Sequence, residues 1–328
     1  MNAANSFDYR NAPELLEQIL NRVERVIVGK RREIRLTLIA MLAGGHVLLE
    51  DVPGVGKSML VRTMSAALGC SFGRIQFTSD LMPADITGCS VYHPKTGDFE
   101  FRRGPLWANL VLGDELNRAS ARTQSALLEA MEERRVTVDG TTYQLPRPFT
   151  LIATQNPLQF EGTCRLPEAQ MDRFLIKIAM GYPDPEQEFD MLGRLHGEEA
   201  LERIKPVILA EELAVMQRQV MTVHVDDSIK RALVEAAVLS RTHPAIALGL
   251  SPRGTLAWQR ASQAAAYMQG RHYVTPDDVK DMAEPVLVHR LQFNGIHPGP
   301  SRGAELVEEL ISSVRMPLTG YGGRGAKA

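Results

Sequence analysis

The run Asp51-Val52-Pro53-Gly54-Val55-Gly56-Lys57-Ser58 sets glycines, a lysine and a hydroxyl at the spacing that a phosphate-binding loop needs. An apolar strand candidate at residues 46–50 precedes it, and an apolar helical stretch at 59–68, closed by Gly69, follows. That strand–loop–helix context gives the motif its weight. Glycines let successive backbone N–H groups turn inward around an anion, and the new helix offers its positive end to the phosphates. Lys57 is then expected to reach the β- and γ-phosphates, with the Ser58 hydroxyl on Mg²⁺. The usual first glycine of such loops is Asp51 here, while the core Gly-x-Gly-Lys-Ser is intact. The loop is expected to bind a nucleoside triphosphate.

A second set of chemistry-bearing residues lies downstream. Leu110, Val111 and Leu112 form a short apolar run ending in Gly113-Asp114-Glu115, a buried strand with acids at its tip. Asp114 is suited to hold Mg²⁺ through water and Glu115 to polarise an attacking water, which points to hydrolysis. Taken alone, two acids at a strand end are solvated surface groups; the upstream loop gives them a role. Asn156 closes another buried strand at residues 149–153, where it can orient that water or touch the γ-phosphate, although a lone Asn there is ordinarily a turn former. Arg173, in Asp172-Arg173-Phe174, is an arginine able to complete a neighbour's site. Arg253, in Ser251-Pro252-Arg253, opens a later helix from which it can sense nucleotide. By themselves both arginines read as surface ion pairs.

The elements that must position these groups are legible in outline. Residues 13–25 have helical spacing of Leu15, Leu16, Ile19, Leu20 and Val23, with Pro13 in the first turn. A second amphipathic helix spans about 30–42 and stops at Gly44-Gly45, and a third covers about 121–134. Asp139-Gly140 between Val136-Thr137-Val138 and Thr141-Thr142-Tyr143 predicts a β-hairpin. Strands alternating with helices predict an α/β fold whose parallel sheet carries ligands at its carboxyl edge. Beyond Pro183 the chain becomes rich in Ala, Leu, Val and Glu, which predicts a second, mostly α-helical domain. The expected division is a flexible start at 1–12, a core at 13–182, a linker at 183–205, a helical domain at 206–319 and a flexible tail at 320–328.

Composition narrows the classes further. The 328 residues include 37 basic and 39 acidic side chains and only 6% aromatics. Neither a basic field nor a stacking surface advertises nucleic acid. No apolar run reaches the roughly 18–20 residues of a membrane span. The three cysteines are dispersed, which fits free thiols, and the expected location is the cytoplasm.

Taken in series, these stretches resemble the MoxR family of AAA+ ATPases, within its helix-2-insert group. The resemblance runs from about residue 22 to 318. It is carried by the phosphate loop, Asp114-Glu115-Leu116-Asn117-Arg118-Ala119, the Thr123–Glu133 helix, Ala153-Thr154-Gln155-Asn156-Pro157, Glu168–Phe174 and Ser251-Pro252-Arg253. It implies ATP and Mg²⁺ as cofactors and an AAA+ core with a helical lid. It also implies a ring, commonly a homo-hexamer, with a chaperone-like role on a protein client or on a partner carrying a von Willebrand factor A domain. Val28, Gly29, Pro53, Gly54, Val55, Gly56, Lys57, Ser58 and Met59 fall where the family binds nucleotide. Asp114 and Glu115 match Walker B, Asn156 sensor 1, Arg173 the arginine finger and Arg253 sensor 2. Residues about 88–103 match the helix-2 insert, and 136–143 the pre-sensor-1 insert. Cys164-Arg165 depart from the family's usual Tyr-Pro.

Two other functions share much of this pattern. A nucleic-acid motor also carries both hairpins, and Arg102-Arg103 and Arg134-Arg135 sit at their edges, but the near-neutral charge and sparse aromatics argue against it. A chelatase motor subunit shares the helix-2 insert. A GTPase lacks support because no Asn-Lys-x-Asp element follows the acid pair.

Overall fold

A computed structural model describes residues 11–50, 54–156, 166–193, 198–294 and 300–316. The chain divides into two compact units between Val220 and Met221. The division falls later than the expected 183–205.

The first unit opens with α1 (Ala12–Glu24) and α2 (Arg31–Leu42), then β1 (Val47–Glu50), α3 (Lys57–Ala67) and β2 (Phe72–Gln76). A short α4 (Pro83–Thr87) leads into the hairpin β3 (Gly88–His93) and β4 (Asp98–Arg103). Next come β5 (Leu110–Asp114), α5 (Ala121–Glu133), the hairpin β6 (Arg135–Val138) and β7 (Thr141–Gln144), and β8 (Thr150–Gln155). The unit closes with α6 (Glu168–Met171), β9 (Ile176–Ile178), α7 (Pro185–Gly193), α8 (Glu198–Glu202) and α9 (Ala210–Val220).

Five strands form one parallel sheet in the order β2-β5-β8-β1-β9. The three expected strands are its middle, buried on both faces. The two edges, β2 and β9, complete it. β2 alternates, with Ile75 buried while Arg74 and Gln76 are exposed, so it carries no apolar run. From β1 the chain crosses to the far edge at β2, returns through β5 and β8, and later adds β9 on the other side of β1. The strand order therefore reverses between β1 and β8, and ligands in open α/β sheets bind outside the carboxyl ends at such a point.

The flanking helices follow their patterns. α1 buries Leu16, Ile19, Leu20 and Val23. α2 is buried continuously from Leu36 to Leu42, because it packs against β9 as well as α1 and α9. Gln217 of α9 donates to the Met41 carbonyl at 2.7 Å, alongside the Gly44 N–H, and ties α9 to this unit. On α5, Leu127, Ala130 and Met131 join Phe77, Phe149 and Phe174 in a core beneath the sheet.

Both expected hairpins are present. Asp139 and Gly140 take the positive φ values, 49° and 76°, of a tight two-residue turn. The hairpins also touch: Phe101 of β4 stacks on Tyr143 of β7 at 4.5 Å, and Trp107 meets Tyr143 edge-on at 6.1 Å. At the free end of β3–β4, Tyr92 and Phe99 are exposed and lie 5.4 Å apart.

The second unit contains α10 (Asp227–Thr242), β10 (Ile246–Leu248), α11 (Pro252–Met268), α12 (Pro276–Asp281), α13 (Ala283–Leu287), β11 (Gln292–Phe293) and α14 (Pro300–Ser313). It is helical apart from the small β10–β11 pair. Trp258 is its fully buried anchor, with its indole N–H donating to the Val279 carbonyl at 2.8 Å. Asp278, almost fully buried, accepts two 2.6 Å bonds from Arg271 and caps α12 with Thr275.

Among the described residues no helix is long and apolar enough to cross a membrane. Cys70 and Cys89 are free thiols, and burial pushes Cys70 up to about 12, which keeps it protonated and unreactive.

Candidate nucleotide site

β1 ends at Glu50 and α3 begins at Lys57, so the phosphate loop is the turn between them. Asp51 and Pro53 lie outside the described residues. Gly54 and Gly56 have φ of +88° and +87°, a region L side chains rarely enter, and a Cβ on either would meet nothing within 4 Å. Among the described residues the backbone angle, not crowding, is what requires glycine here. Gly56 is the N-cap of α3, and among the described residues no side chain caps the helix. The first N–H groups of an eleven-residue helix therefore face the loop, which is the arrangement that receives phosphate. Val55, Lys57, Ser58 and Met59 are all half-buried. These residues fit a nucleotide.

The acid pair is built across strands. Asp114 ends β5 and Glu115 turns the chain with a left-handed φ of 57°, an unfavourable angle for a non-glycine residue. Thr154 of β8, buried beside them, supports that turn. Its hydroxyl donates to Asp114 Oδ1 at 2.9 Å and accepts the Glu115 N–H at 2.9 Å. The second Asp114 oxygen accepts from Arg74 of β2 at 2.9 Å. The same Arg74 nitrogen reaches Gln76 Oε1 at 3.1 Å, while Gln76 Nε2 donates to Glu115 Oε2 at 3.3 Å. Arg118, in the 3-10 turn after β5, pairs with that Glu115 oxygen at 2.8 Å. One continuous hydrogen-bonded chain thus links both acids. Ser58 and Asp114 are hard oxygen donors, suited to Mg²⁺ sharing its shell with phosphates and water.

Asn156 follows β8 directly and is buried. Glu50 pairs with Gln155, and Gly113 with Ala153, so the tips of β1, β5 and β8 share one edge. The sheet therefore brings together the ends of the phosphate loop, the acid pair and Asn156. Val28 and Gly29 lie in the α1–α2 connection, Gly29 exposed with φ +68°. Lys30 beside them donates to the carbonyls of Met180 and Tyr182, which fixes this connection to the segment after β9.

Arg173 stands apart from the acid pair in its hydrogen bonding. Its guanidinium pairs with Glu132 of α5 at 2.9 Å and donates to the Ala169 carbonyl, and its buried Nε has no partner among the described residues. Arg253 is exposed in the first turn of α11, which Ser251 caps through the Gly254 N–H at 3.0 Å. A cation gains nothing from the positive end of its own helix, so helix stability does not explain this arginine.

Four residues of the network were given no role by the sequence reading: Thr154, Arg74, Gln76 and Arg118. Only the alternation Arg74-Ile75-Gln76 before Phe77 hints at an edge strand that presents polar groups on one face. His46, outside this network, precedes β1 and is buried. Its Nδ1 accepts the Leu151 N–H at 2.9 Å and its Nε2 meets the Met131 carbonyl at 3.0 Å, which selects the neutral Nε2–H tautomer. Burial pushes His46 down to about 4, with Arg134 adding to the effect.

Comparison with known proteins agrees with this architecture. Residues 46–176 match the model for the ATPase family associated with various cellular activities (AAA), and 238–312 match an AAA lid domain. The chain is 49% identical to the uncharacterized protein YeaC of Bacillus subtilis, covering 93% of this chain and 95% of that one. It is 40% identical to the chaperone MoxR1 of Mycobacterium tuberculosis (84% and 75%) and 30% identical to the protein MoxR of Methylorubrum extorquens (94% and 94%). A crystal structure from Cytophaga hutchinsonii superposes with a TM-score of 0.85 at 34% identity, covering 94% and 96%. Parallel sheet, lid and matches together define an ATP-hydrolysing AAA+ enzyme. The chain belongs to the MoxR family of AAA+ ATPases.

Proposed function

We propose that this chain hydrolyses Mg·ATP at the carboxyl edge of its parallel sheet, within a ring of its own copies, and spends the energy remodelling or activating a protein partner in the cytoplasm. The observation that carries the reading is the convergence at one sheet edge of a glycine-lined helix start, an acid pair and a buried Asn156. In this reading the loop N–H groups and Lys57 hold the phosphates, and Ser58 and Asp114 face the metal. Mg²⁺, when bound, supplies charge neutralisation at the phosphate oxygens. Glu115 takes a proton from the attacking water, which Asn156 orients. Arg173 acts on the nucleotide of the adjacent copy, and Arg253 registers phosphate from the helical unit. The partner is a protein client, or one with a von Willebrand factor A domain.

The test is to follow phosphate release and particle mass together on the purified chain. Mg²⁺-dependent release is expected, with ATP shifting the protein to ring-sized particles by mass photometry. Full turnover by a monomer at every concentration would remove the ring.

A further inference from the structure

We propose that Arg74 is an internal counter-cation for Asp114, competing with Mg²⁺ for the carboxylate and so setting the metal concentration at which the site fills. The proposal rests on the reading of Asp114 as the acid that faces the metal.

The geometry supplies the argument. Asp114 has two oxygens, and Thr154 permanently occupies one from within the sheet. The other is the oxygen open to the edge, and the Arg74 guanidinium lies 2.9 Å from it. A divalent cation drawn to that oxygen through its water meets a fixed positive charge at hydrogen-bond distance. The two cations compete for that one oxygen, so metal entry weakens or displaces the Arg74 contact.

Arg74 is built to leave. It sits on β2, at the sheet edge, and about half of its side chain is exposed, against 15% for Asp114. Its departure would also release Gln76 Oε1, while Gln76 Nε2 holds Glu115. Metal arrival at Asp114 is thereby felt at Glu115 through two side chains of one strand. Arg118 differs: it pairs with Glu115 and makes no bond to the oxygen that the metal needs.

The experiment titrates Mn²⁺ into the full-length protein holding no more than one equivalent of ADP, against a protein-free ADP blank, and follows loss of the free aqueous Mn²⁺ signal beyond that blank by electron paramagnetic resonance. Arg74→Gln removes the competing charge. An exposed ion pair is worth little, so its removal should tighten Mn²⁺ by about two- to fivefold. Arg74→Lys, which keeps the charge, should stay near wild type. Arg74→Met serves as a second neutral variant should glutamine disturb the strand. Arg118→Gln removes the same charge from Glu115 and should change Mn²⁺ affinity less. The Mg²⁺ concentration giving half-maximal hydrolysis should fall in parallel in the neutral Arg74 variants. Unchanged or weaker Mn²⁺ binding in folded neutral Arg74 variants overturns the proposal while leaving the nucleotide site standing. Equal tightening in Arg118→Gln overturns it too, since general electrostatics would then suffice. Wild-type protein that takes up no Mn²⁺ with ADP removes the nucleotide reading and the proposal together.

Discussion

Thr154 and Asp114 are joined across adjacent parallel strands by a 2.9 Å hydrogen bond, and the Thr154 hydroxyl also receives the Glu115 N–H. One buried hydroxyl therefore orients a carboxylate and satisfies the backbone of a left-handed turn. Thr154→Val keeps the shape and removes both bonds. It should cost about 1–3 kcal/mol by leaving a buried N–H unpaired. ATP turnover should fall about tenfold if misplacing the acids costs ~1.4 kcal/mol. Thr154→Ser should restore both. Denaturant melts and phosphate release measure the two effects, and wild-type turnover in the valine variant would deny Thr154 a positioning role.

Lys57→Ala removes the cation of the first helical turn facing the loop. Calorimetry with Mg²⁺ present should show nucleotide binding lost, because Lys57 is the cation in the first turn of α3. Undiminished affinity and turnover in a folded variant would overturn the phosphate-loop assignment.

Glu115→Gln preserves shape and can still accept from Arg118, yet the amide cannot act as a base. Hydrolysis should fall by about 10²–10⁴ while ATP stays bound. Quantifying protein-bound ATP after a chase with excess ADP separates the two effects. Turnover at the wild-type rate would take the proton-accepting role away from Glu115.

Arg173 is engaged within its own chain by Glu132. Acting on a neighbour requires the guanidinium to exchange that partner for phosphate. Arg173→Ala should reduce hydrolysis by about 10³–10⁵, the range of arginine fingers, with nucleotide affinity retained. Mixing Arg173→Ala with Lys57→Ala should partly restore activity, since some interfaces then pair an intact loop with an intact Arg173. Confirmed mixed assemblies without any recovery would argue that Arg173 acts elsewhere.

His46 predicts a pH dependence of stability. Its folded pKa, about 4, lies below the ordinary 6.5. Between those values the unfolded chain binds a proton that the folded chain excludes, so stability is present above pH 6.5 and declines as pH falls towards 4. The full loss is about 3 kcal/mol, and below pH 4 this residue contributes no further slope. Urea melts from pH 7.5 to 4.5 should show that slope, and His46→Gln should reduce it. An identical slope in the variant would place the dependence on other groups.

Local sequence carried much of the fold. Asp139-Gly140 dictates its turn because only that backbone twist closes the hairpin, and Leu16, Ile19, Leu20 and Val23 mark the buried stripe of α1 at helical spacing. Gly54, Gly56, Lys57 and Ser58 announce their chemistry because a phosphate loop is made by contiguous residues. The edge strands are a different matter. β2 and β9 are short and partly exposed, and Arg74, Gln76 and Lys177 interrupt any apolar run. α9 follows the expected linker in sequence, yet Gln217 binds it to the end of α2.

Contiguous motif and strand context thus named the phosphate loop and the acid pair, while the roles of Asn156, Arg173 and Arg253 came from the family resemblance. Only the folded chain could bring Arg74 to Asp114, Gln76 to Glu115 and Thr154 to both acids, because these pairs lie about forty residues apart in sequence. Strand order and register create such contacts. Registering Gln76 opposite Asp114 in a parallel pair makes neighbours of side chains that no local pattern connects.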